Sequence, residues 1–200
     1  MDAPVIAAFI TGSAAIVGPI ATFYVTRARG RASQITAERL NDRQVLYEKA
    51  AKLISDGRRV LDTTWGTDAP ELMSEEKQAE DAYLQARAKA IARSNTVYRE
   101  LFTLTGSQTR AMRFDDARRD QGKNPNYQVR CLSESTSSLP LIDILVVDGE
   151  HVLLSFLSSD SVRQGYQYIY VRSTAVAEHY TEYFDECWRV ARSPDTERKP

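Results

Sequence analysis

Residues 141–157 constrain the fold more than any other stretch, because two apolar runs flank a dipeptide typical of tight turns. Asp148-Gly149 favours a β-hairpin, since a two-residue primed turn needs residues that tolerate positive φ. The run Ile142–Val147 is apolar without interruption except for Asp143, which is typical of a strand covered on both faces. We therefore predict a central hairpin, with other parts of the chain packed above and below it.

The rest of the chain alternates between strand-like and helix-like patterns. Runs rich in β-branched and aromatic residues predict strands, and apolar residues at helical spacing predict helices. Ser74 before Glu75 and Glu76 marks a helix start, because a hydroxyl caps free N–H groups and acids favour the positive end of the helix dipole. After a first helix at 34–56, we predict strands at 58–65, 96–104, 127–132 and 166–171, helices at 74–94 and 107–120, and a final helix from Ser173.

Two of these helices have informative details. In the first, Leu46, Ala50 and Leu53 recur at helical spacing, and Gly57 is expected to end the helix in the left-handed conformation. In the last, an apolar stripe at helical spacing predicts a core-facing side, formed by Val176, Tyr180, Phe184, Cys187 and Trp188. The expected fold class is α/β, with a mixed sheet of about six strands flanked by helices.

Composition limits the partners and the chemistry. The formal net charge is -1, so no global charge attracts nucleic acid, and we expect no nucleic-acid partner. Cys131 and Cys187 are the only cysteines and lie far apart, which excludes a disulfide framework and a paired-cysteine metal site. We expect both thiols to serve as core side chains.

The N-terminal segment has the composition of a membrane anchor. No charged residue occurs from Ala3 to Val25, and a helix of that length spans about 35 Å, enough to cross a bilayer core of about 30 Å. Arg27, Arg29 and Arg31 follow directly, which by the positive-inside rule places the rest of the chain in the cytoplasm. We therefore predict a single-pass protein of the cell's inner membrane, with its N-terminus outside and with membrane lipid as a partner.

Small residues within this segment are spaced for close helix packing. Ala8 and Gly12 stand four apart, as do Ala14 and Gly18, a spacing that lets two transmembrane helices approach each other. Such residues are common in membrane helices in any case. The domain division that follows is an anchor at 1–31, a cytoplasmic domain at 32–192 and a disordered tail at 193–200.

The order of elements and one local motif resemble half of a phospholipase D-like fold. In that family a strand carries His-x-Lys, then four residues, then Asp just before a turn. Laid on this chain, the motif's Asp falls on Asp148, its His on Leu141 and its Lys on Asp143. The resemblance covers roughly residues 45–192 and is greatest to the degenerate modules that bacteria attach to regulatory proteins. It implies a homo-oligomer, since catalytic halves of this family pair about a two-fold axis.

The departures from the motif argue against an enzyme. Leucine cannot act as nucleophile or acid, and an aspartate in place of lysine would repel a phosphodiester. His151 and His179 each stand alone, without a second ligand at metal spacing. We expect no catalytic residue, no metal and no cofactor.

A ligand-binding cleft is expected where this fold places its active site, near the start of the hairpin. The candidates for its lining are Thr64, Trp65, Tyr98, Glu100 and Asp143. The leading hypothesis is a membrane-anchored, non-catalytic sensor or regulatory domain that binds a small ligand or a protein partner. The alternatives are a membrane effector or exclusion protein in bacterial or phage conflict, and a residual phosphodiesterase.

Overall fold

The computed structural model describes residues 35–64, 74–103, 108–132, 142–157 and 166–191. The strands are β1 (Thr36–Leu40), β2 (Arg59–Thr64), β3 (Val97–Thr103), β4 (Tyr127–Leu132), β5 (Asp143–Val147), β6 (His151–Leu157) and β7 (Tyr166–Arg172). The helices are α1 (Arg43–Asp56), α2 (Ser74–Ala92), α3 (Gln108–Gln121) and α4 (Thr174–Val190).

The strands of the described residues join into one mixed sheet with the order β1-β7-β6-β5-β2-β3-β4. β2, β3 and β4 run parallel to one another, and every other neighbouring pair is antiparallel. This confirms the α/β class and the mixed sheet, with seven strands where about six were expected.

Helices cover both faces of the sheet. Side chains from α1, α2 and α3 pack in one core, and α4 forms a second core on the opposite face. Residues of β5 alternate between the two cores, with Leu145 and Val147 in the first and Ile144 and Val146 in the second. The prediction that this strand is covered on both faces is therefore confirmed.

The hairpin has the predicted turn. Asp148 and Gly149 both have positive φ, 54° and 67°, as a primed turn requires. One carboxylate oxygen of Asp148 accepts the backbone N–H groups of Arg58 and Arg59, at 2.9 and 2.8 Å. Its own N–H donates to the carbonyl of Arg59 at 2.8 Å. The turn is thereby attached to the start of β2.

The prediction of one helix from 34 to 56 is wrong in its first part. Thr36–Leu40 is a strand, and α1 begins only after Asp42, whose side chain accepts the N–H of Val45 at 2.9 Å. All five residues of β1 are in register with β7. Pairing with that strand decides the conformation here, because the sequence Thr-Ala-Glu-Arg-Leu has no strong preference of its own for strand.

Gly57 follows α1, but it does not end the helix in the left-handed conformation as predicted. Its φ of -71° and ψ of 148° are extended values that any residue adopts. A glycine is needed for a different reason: a Cβ here would lie 2.6 Å from Cγ1 of Val147 and 3.0 Å from the carbonyl oxygen of Leu53. The close approach of β5 to the end of α1 leaves no room for a side chain.

No helix among the described residues is both long and apolar enough to cross a membrane. The predicted anchor lies outside the described residues and stays a prediction. The same holds for the residues named in it and after it, which are Ala8, Gly12, Ala14, Gly18, Arg27, Arg29 and Arg31.

Gly57→Ala should destabilise the domain, because the added methyl overpacks the contact with Val147. Overpacking of this kind costs about 1–3 kcal/mol of unfolding free energy, which urea unfolding would measure. Gly122→Ala is the matched control. Its Cβ would meet nothing closer than 3.5 Å, and the stability should stay the same or rise by up to about 1 kcal/mol. Equal effects of the two substitutions would contradict the close-contact explanation.

Candidate functional site

Two acidic side chains lie side by side inside the domain. Asp62 on β2 and Glu100 on β3 are register partners on neighbouring parallel strands, and such strands lie about 4.8 Å apart. Asp62 is 4% exposed and Glu100 is 3% exposed, beneath the helices that cover this face. Buried carboxylates need hydrogen-bond donors or opposite charge, and α2 and the strands supply both.

Asp62 accepts two hydroxyl hydrogen bonds at the same carboxylate oxygen. Tyr98, two residues before Glu100 on β3, donates at 2.6 Å, and Tyr83 of α2 donates at 2.8 Å. The Tyr83 ring also packs against the ring of Tyr47 of α1 at a tilt of 30°, with the centroids 5.6 Å apart. Asp62 is thereby joined to α2 by one hydroxyl.

Glu100 is joined to α2 by a charge pair. Arg87 donates to both of its carboxylate oxygens, from Nε at 3.1 Å and from Nη2 in a shorter contact. The hydroxyl of Tyr127 on β4 also donates to Glu100, and accepts from Arg87 at 2.8 Å. We call the whole set the buried polar cluster, which consists of Asp62, Tyr83, Arg87, Tyr98, Glu100 and Tyr127.

The cluster holds two carboxylates and one guanidinium. Burial raises the pKa of Asp62 to about 7, and the neighbouring Glu100 adds to this rise. The hydroxyls of Tyr98 and Tyr83 and the charge of Arg87 act in the opposite direction but offset only part of it. Two like charges about 5 Å apart repel by roughly 3 kcal/mol at an effective dielectric constant of about 20. A repulsion of this size is enough to raise the pKa of a carboxyl group. Asp62 therefore exchanges a proton near neutral pH.

The three tyrosines and Arg87 keep their ordinary protonation. Burial, together with the negative charge of Asp62, raises the pKa of Tyr83 and Tyr98 well above its usual value. Burial and Glu100 raise the pKa of Tyr127 as well. Burial by itself would lower the pKa of Arg87, but attraction to Glu100 and the tyrosines outweighs it and the pKa rises. The three tyrosines thus remain hydroxyl donors, and Arg87 remains a cation.

A second polar feature lies where β2 and β5 meet. Their ladder ends at the pair Asp62 and Leu145, although both strands continue beyond it. Beyond this pair the side chain of Thr63 replaces the backbone hydrogen bonds, because its hydroxyl oxygen accepts the N–H of Ile144 at 2.6 Å. We call this region the β2–β5 junction, formed by Thr63, Thr64, Asp143 and Ile144.

The junction is a topological switch point of the sheet. The chain after β2 proceeds through α2 to β3 on one side of β2, whereas β5 pairs with the other side. In open α/β sheets, ligands bind beside such a point at the carboxyl ends of the parallel strands. Thr64 ends β2 at this edge, and Asp143 begins β5 there with a half-buried side chain.

Neither histidine of the chain lies at this edge. Asp143 is in register with Ser155, four residues along β6 from His151, which corresponds to about 13 Å. His151 instead shares a 2.9 Å hydrogen bond with the hydroxyl of Tyr170. His179 lies on α4, on the opposite face of the sheet from the buried polar cluster.

The structure brings only some of the predicted lining residues together. Tyr98 and Glu100 belong to the buried polar cluster, whereas Thr64 and Asp143 lie at the β2–β5 junction. Trp65 lies outside the described residues. A ligand-lining role for these residues stays a prediction.

Four members of the buried polar cluster were not among the predicted site residues. Asp62 follows the apolar pair Val60 and Leu61 on β2, and Tyr83 and Arg87 stand one helical turn apart on α2. Those two spacings are the signal for such a cluster. What the sequence alone lacks is the parallel register that sets Asp62 beside Glu100.

No protein-family model and no curated protein matches this chain. Among solved structures, TrmBL2, described as an archaeal chromatin protein with a novel mode of DNA binding, is similar with a TM-score of 0.53 and 17% identity. The match covers 88% of this chain and 60% of that chain, so this chain spans about three fifths of the TrmBL2 chain. The likeness shows a shared fold.

Nuc, described as a phospholipase D family member, is also among the structural neighbours, as is NucT. Nuc from Salmonella typhimurium matches with a TM-score of 0.49 and 12% identity, over 80% of this chain and 97% of that one. NucT from Helicobacter pylori matches with a TM-score of 0.48 and 11% identity, over 80% and 98%.

The expectation that nucleic acid is excluded as a partner is wrong, because a protein with the same fold is described as binding DNA. Net charge was too coarse a criterion, since it averages over the whole chain and says nothing about local surfaces. The accompanying expectation of lipid contact through a helix finds no support among the described residues either.

Asp62→Asn should change how stability depends on pH. The raised pKa means that folding favours protonated Asp62, so the wild-type domain loses stability as pH rises from about 4 to about 7. The isosteric amide does not titrate, and its advantage over wild type should grow through that window to roughly 2–4 kcal/mol and then level off. Thermal unfolding of both proteins across this range measures the difference. A difference in stability between the two proteins that does not change with pH would contradict proton binding by Asp62 near pH 7.

Proposed function

We propose that this chain is a non-catalytic regulatory domain that binds a ligand or a partner group at the β2–β5 junction. The proposal rests on which residues lie at the junction and which do not. A half-buried carboxylate, Asp143, stands at the switch point of the sheet, and both histidines of the chain lie elsewhere.

The position of the histidines supports the absence of phosphodiester chemistry. A nucleophile or general acid must come within about 3 Å of the atom it serves. Within one chain, His151 is separated from Asp143 by about 13 Å along the sheet and is engaged with Tyr170. Leucine stands at position 141, where the resembled motif has its histidine.

The carboxylate of Asp143 is the basis for the proposed chemistry of the ligand. A carboxylate at the carboxyl edge repels phosphate and attracts ammonium or guanidinium groups, or neutral groups that donate hydrogen bonds. The hydroxyl of Thr63 is hydrogen-bonded to the backbone at the start of β5, so Thr63 fixes the shape of the junction. The neighbouring residues are the ones proposed to contact the ligand. The proposed ligand therefore carries positive charge or several N–H and O–H donors.

The full chain should not hydrolyse bis(p-nitrophenyl) phosphate, single-stranded DNA or phosphatidylcholine above the buffer rate. The reason is that no imidazole of its own chain reaches the junction. Release of nitrophenol, of DNA fragments and of free choline or phosphatidate measures the three reactions. Turnover that His151→Ala or His179→Ala abolishes would contradict the non-catalytic proposal.

Binding at the junction should depend on Asp143. Among spermidine, arginine, choline, inorganic phosphate and a DNA duplex, we expect a cationic compound to raise the melting temperature of the full chain in a saturable way. Asp143→Asn should remove this shift, because it removes the negative charge, whereas Asp81→Asn at an exposed position of α2 should keep it. A shift by phosphate or by DNA that Asp143→Asn leaves unchanged would contradict the assignment of the site.

A further inference from the structure

The buried polar cluster connects one helix to three strands by polar contacts. Four of its members lie on β2, β3 and β4, and the other two, Tyr83 and Arg87, lie on α2. Because α2 carries both groups on consecutive turns, the two contacts form or break together when the helix moves. Asp62 and Glu100 are thus covered by the same helix.

Apart from the cluster, α2 packs through small side chains and mostly along α1, with less contact to the sheet. Its other buried side chains are three alanines and one isoleucine, Ala79, Ala86, Ala90 and Ile91. Small side chains remove little apolar surface from water, so their burial contributes little. The polar contacts of the cluster therefore have a large share in holding α2 on the sheet.

Water reaches Asp62 only if this cover is displaced. Its side chain is 4% exposed, and Tyr83 of α2 caps the oxygen that also accepts from Tyr98. An ionised carboxylate gains much from hydration, whereas a protonated one gains little. Displacing α2 therefore costs less free energy when Asp62 is ionised than when it is protonated.

We propose that the buried polar cluster acts as a proton-dependent link, in which α2 is held on the sheet while Asp62 is protonated and detaches more readily once Asp62 is ionised. This inference does not rest on the proposed ligand at the β2–β5 junction. It concerns a different face of β2 and would hold whatever the domain binds.

The charges around Asp62 agree with this direction. Glu100 repels the ionised form, and Arg87 is engaged by Glu100 in a two-point contact. Tyr83 and Tyr98 stabilise the ionised form by hydrogen bonds, and either hydroxyl can turn to accept a hydrogen bond from the neutral form. The other groups that face this region from the packed elements are Tyr127 of β4, Tyr47 of α1, and the pair of Glu80 on α2 with Arg113 on α3.

Hydrogen–deuterium exchange of the full chain at about pH 5 and about pH 8 tests the link, after correction for the intrinsic exchange rate. In the wild type, amides of α2 should lose protection by about tenfold or more at the higher pH. Amides of α4, which packs on the other face, serve as the internal reference and should stay better protected than those of α2 at the higher pH, because only opening of the whole domain exposes them.

Two variants separate the link from other effects of pH. Asp62→Asn should keep the same α2 protection at both pH values, because the amide cannot ionise. Asp81→Asn, which removes an exposed carboxylate of the same helix, should behave like the wild type. The proposal is overturned if protection of α2 in the wild type does not depend on pH, if the dependence persists in Asp62→Asn, or if α2 is as well protected as α4 at about pH 8.

Discussion

Two carboxylates and one guanidinium share a buried site between the sheet and α2, and much of the structure depends on how that charge is balanced. The parallel register of β2 and β3 sets Asp62 beside Glu100, and α2 must supply Arg87 and Tyr83 to make their burial tolerable. Breaking a buried ion pair by removing one partner typically costs about 3–5 kcal/mol. The position of α2 is therefore specified by these polar contacts together with its apolar packing on α1.

The two halves of the sheet are joined at β2, which is parallel to β3 on one side and antiparallel to β5 on the other. At one end of this pairing Asp148 binds the start of β2, and at the other the hydroxyl of Thr63 replaces the backbone ladder. Consecutive residues of β2 serve different faces, since Asp62 points to the cluster and Thr63 to the neighbouring strand. One strand thus carries both the proton-binding residue and the edge of the proposed ligand site.

Most of the fold could be predicted from local patterns. Asp148-Gly149 specified the hairpin, Ser74 and Ser173 marked helix starts, and the apolar stripe of α4 identified its buried side. β1 was missed because its strand conformation comes from pairing with β7, more than 120 residues later, and not from its own residues. The role of Gly57 was misjudged for a similar reason, since the contact with Val147 belongs to the tertiary structure.

The candidate site was less predictable than the fold. Tyr98 and Glu100 were predicted as lining residues of the cleft expected in this fold, but their partners Asp62, Tyr83, Arg87 and Tyr127 come from three other elements. The exclusion of nucleic acid failed because a whole-chain charge cannot describe one surface. Spacing along the chain reveals pairs on one element, and only the register of the sheet reveals which pairs meet.

The central claim, that a buried carboxylate holds a proton near neutral pH, is tested most directly by titrating Asp62 itself. Carbon-13 NMR of the full chain labelled at aspartate carboxyl groups follows each group across pH, and Asp62→Asn assigns the signal. We expect a midpoint at about 7 for this carboxyl. A midpoint near about 4, the ordinary value for aspartate, would contradict it and leave the cluster as a fixed structural contact.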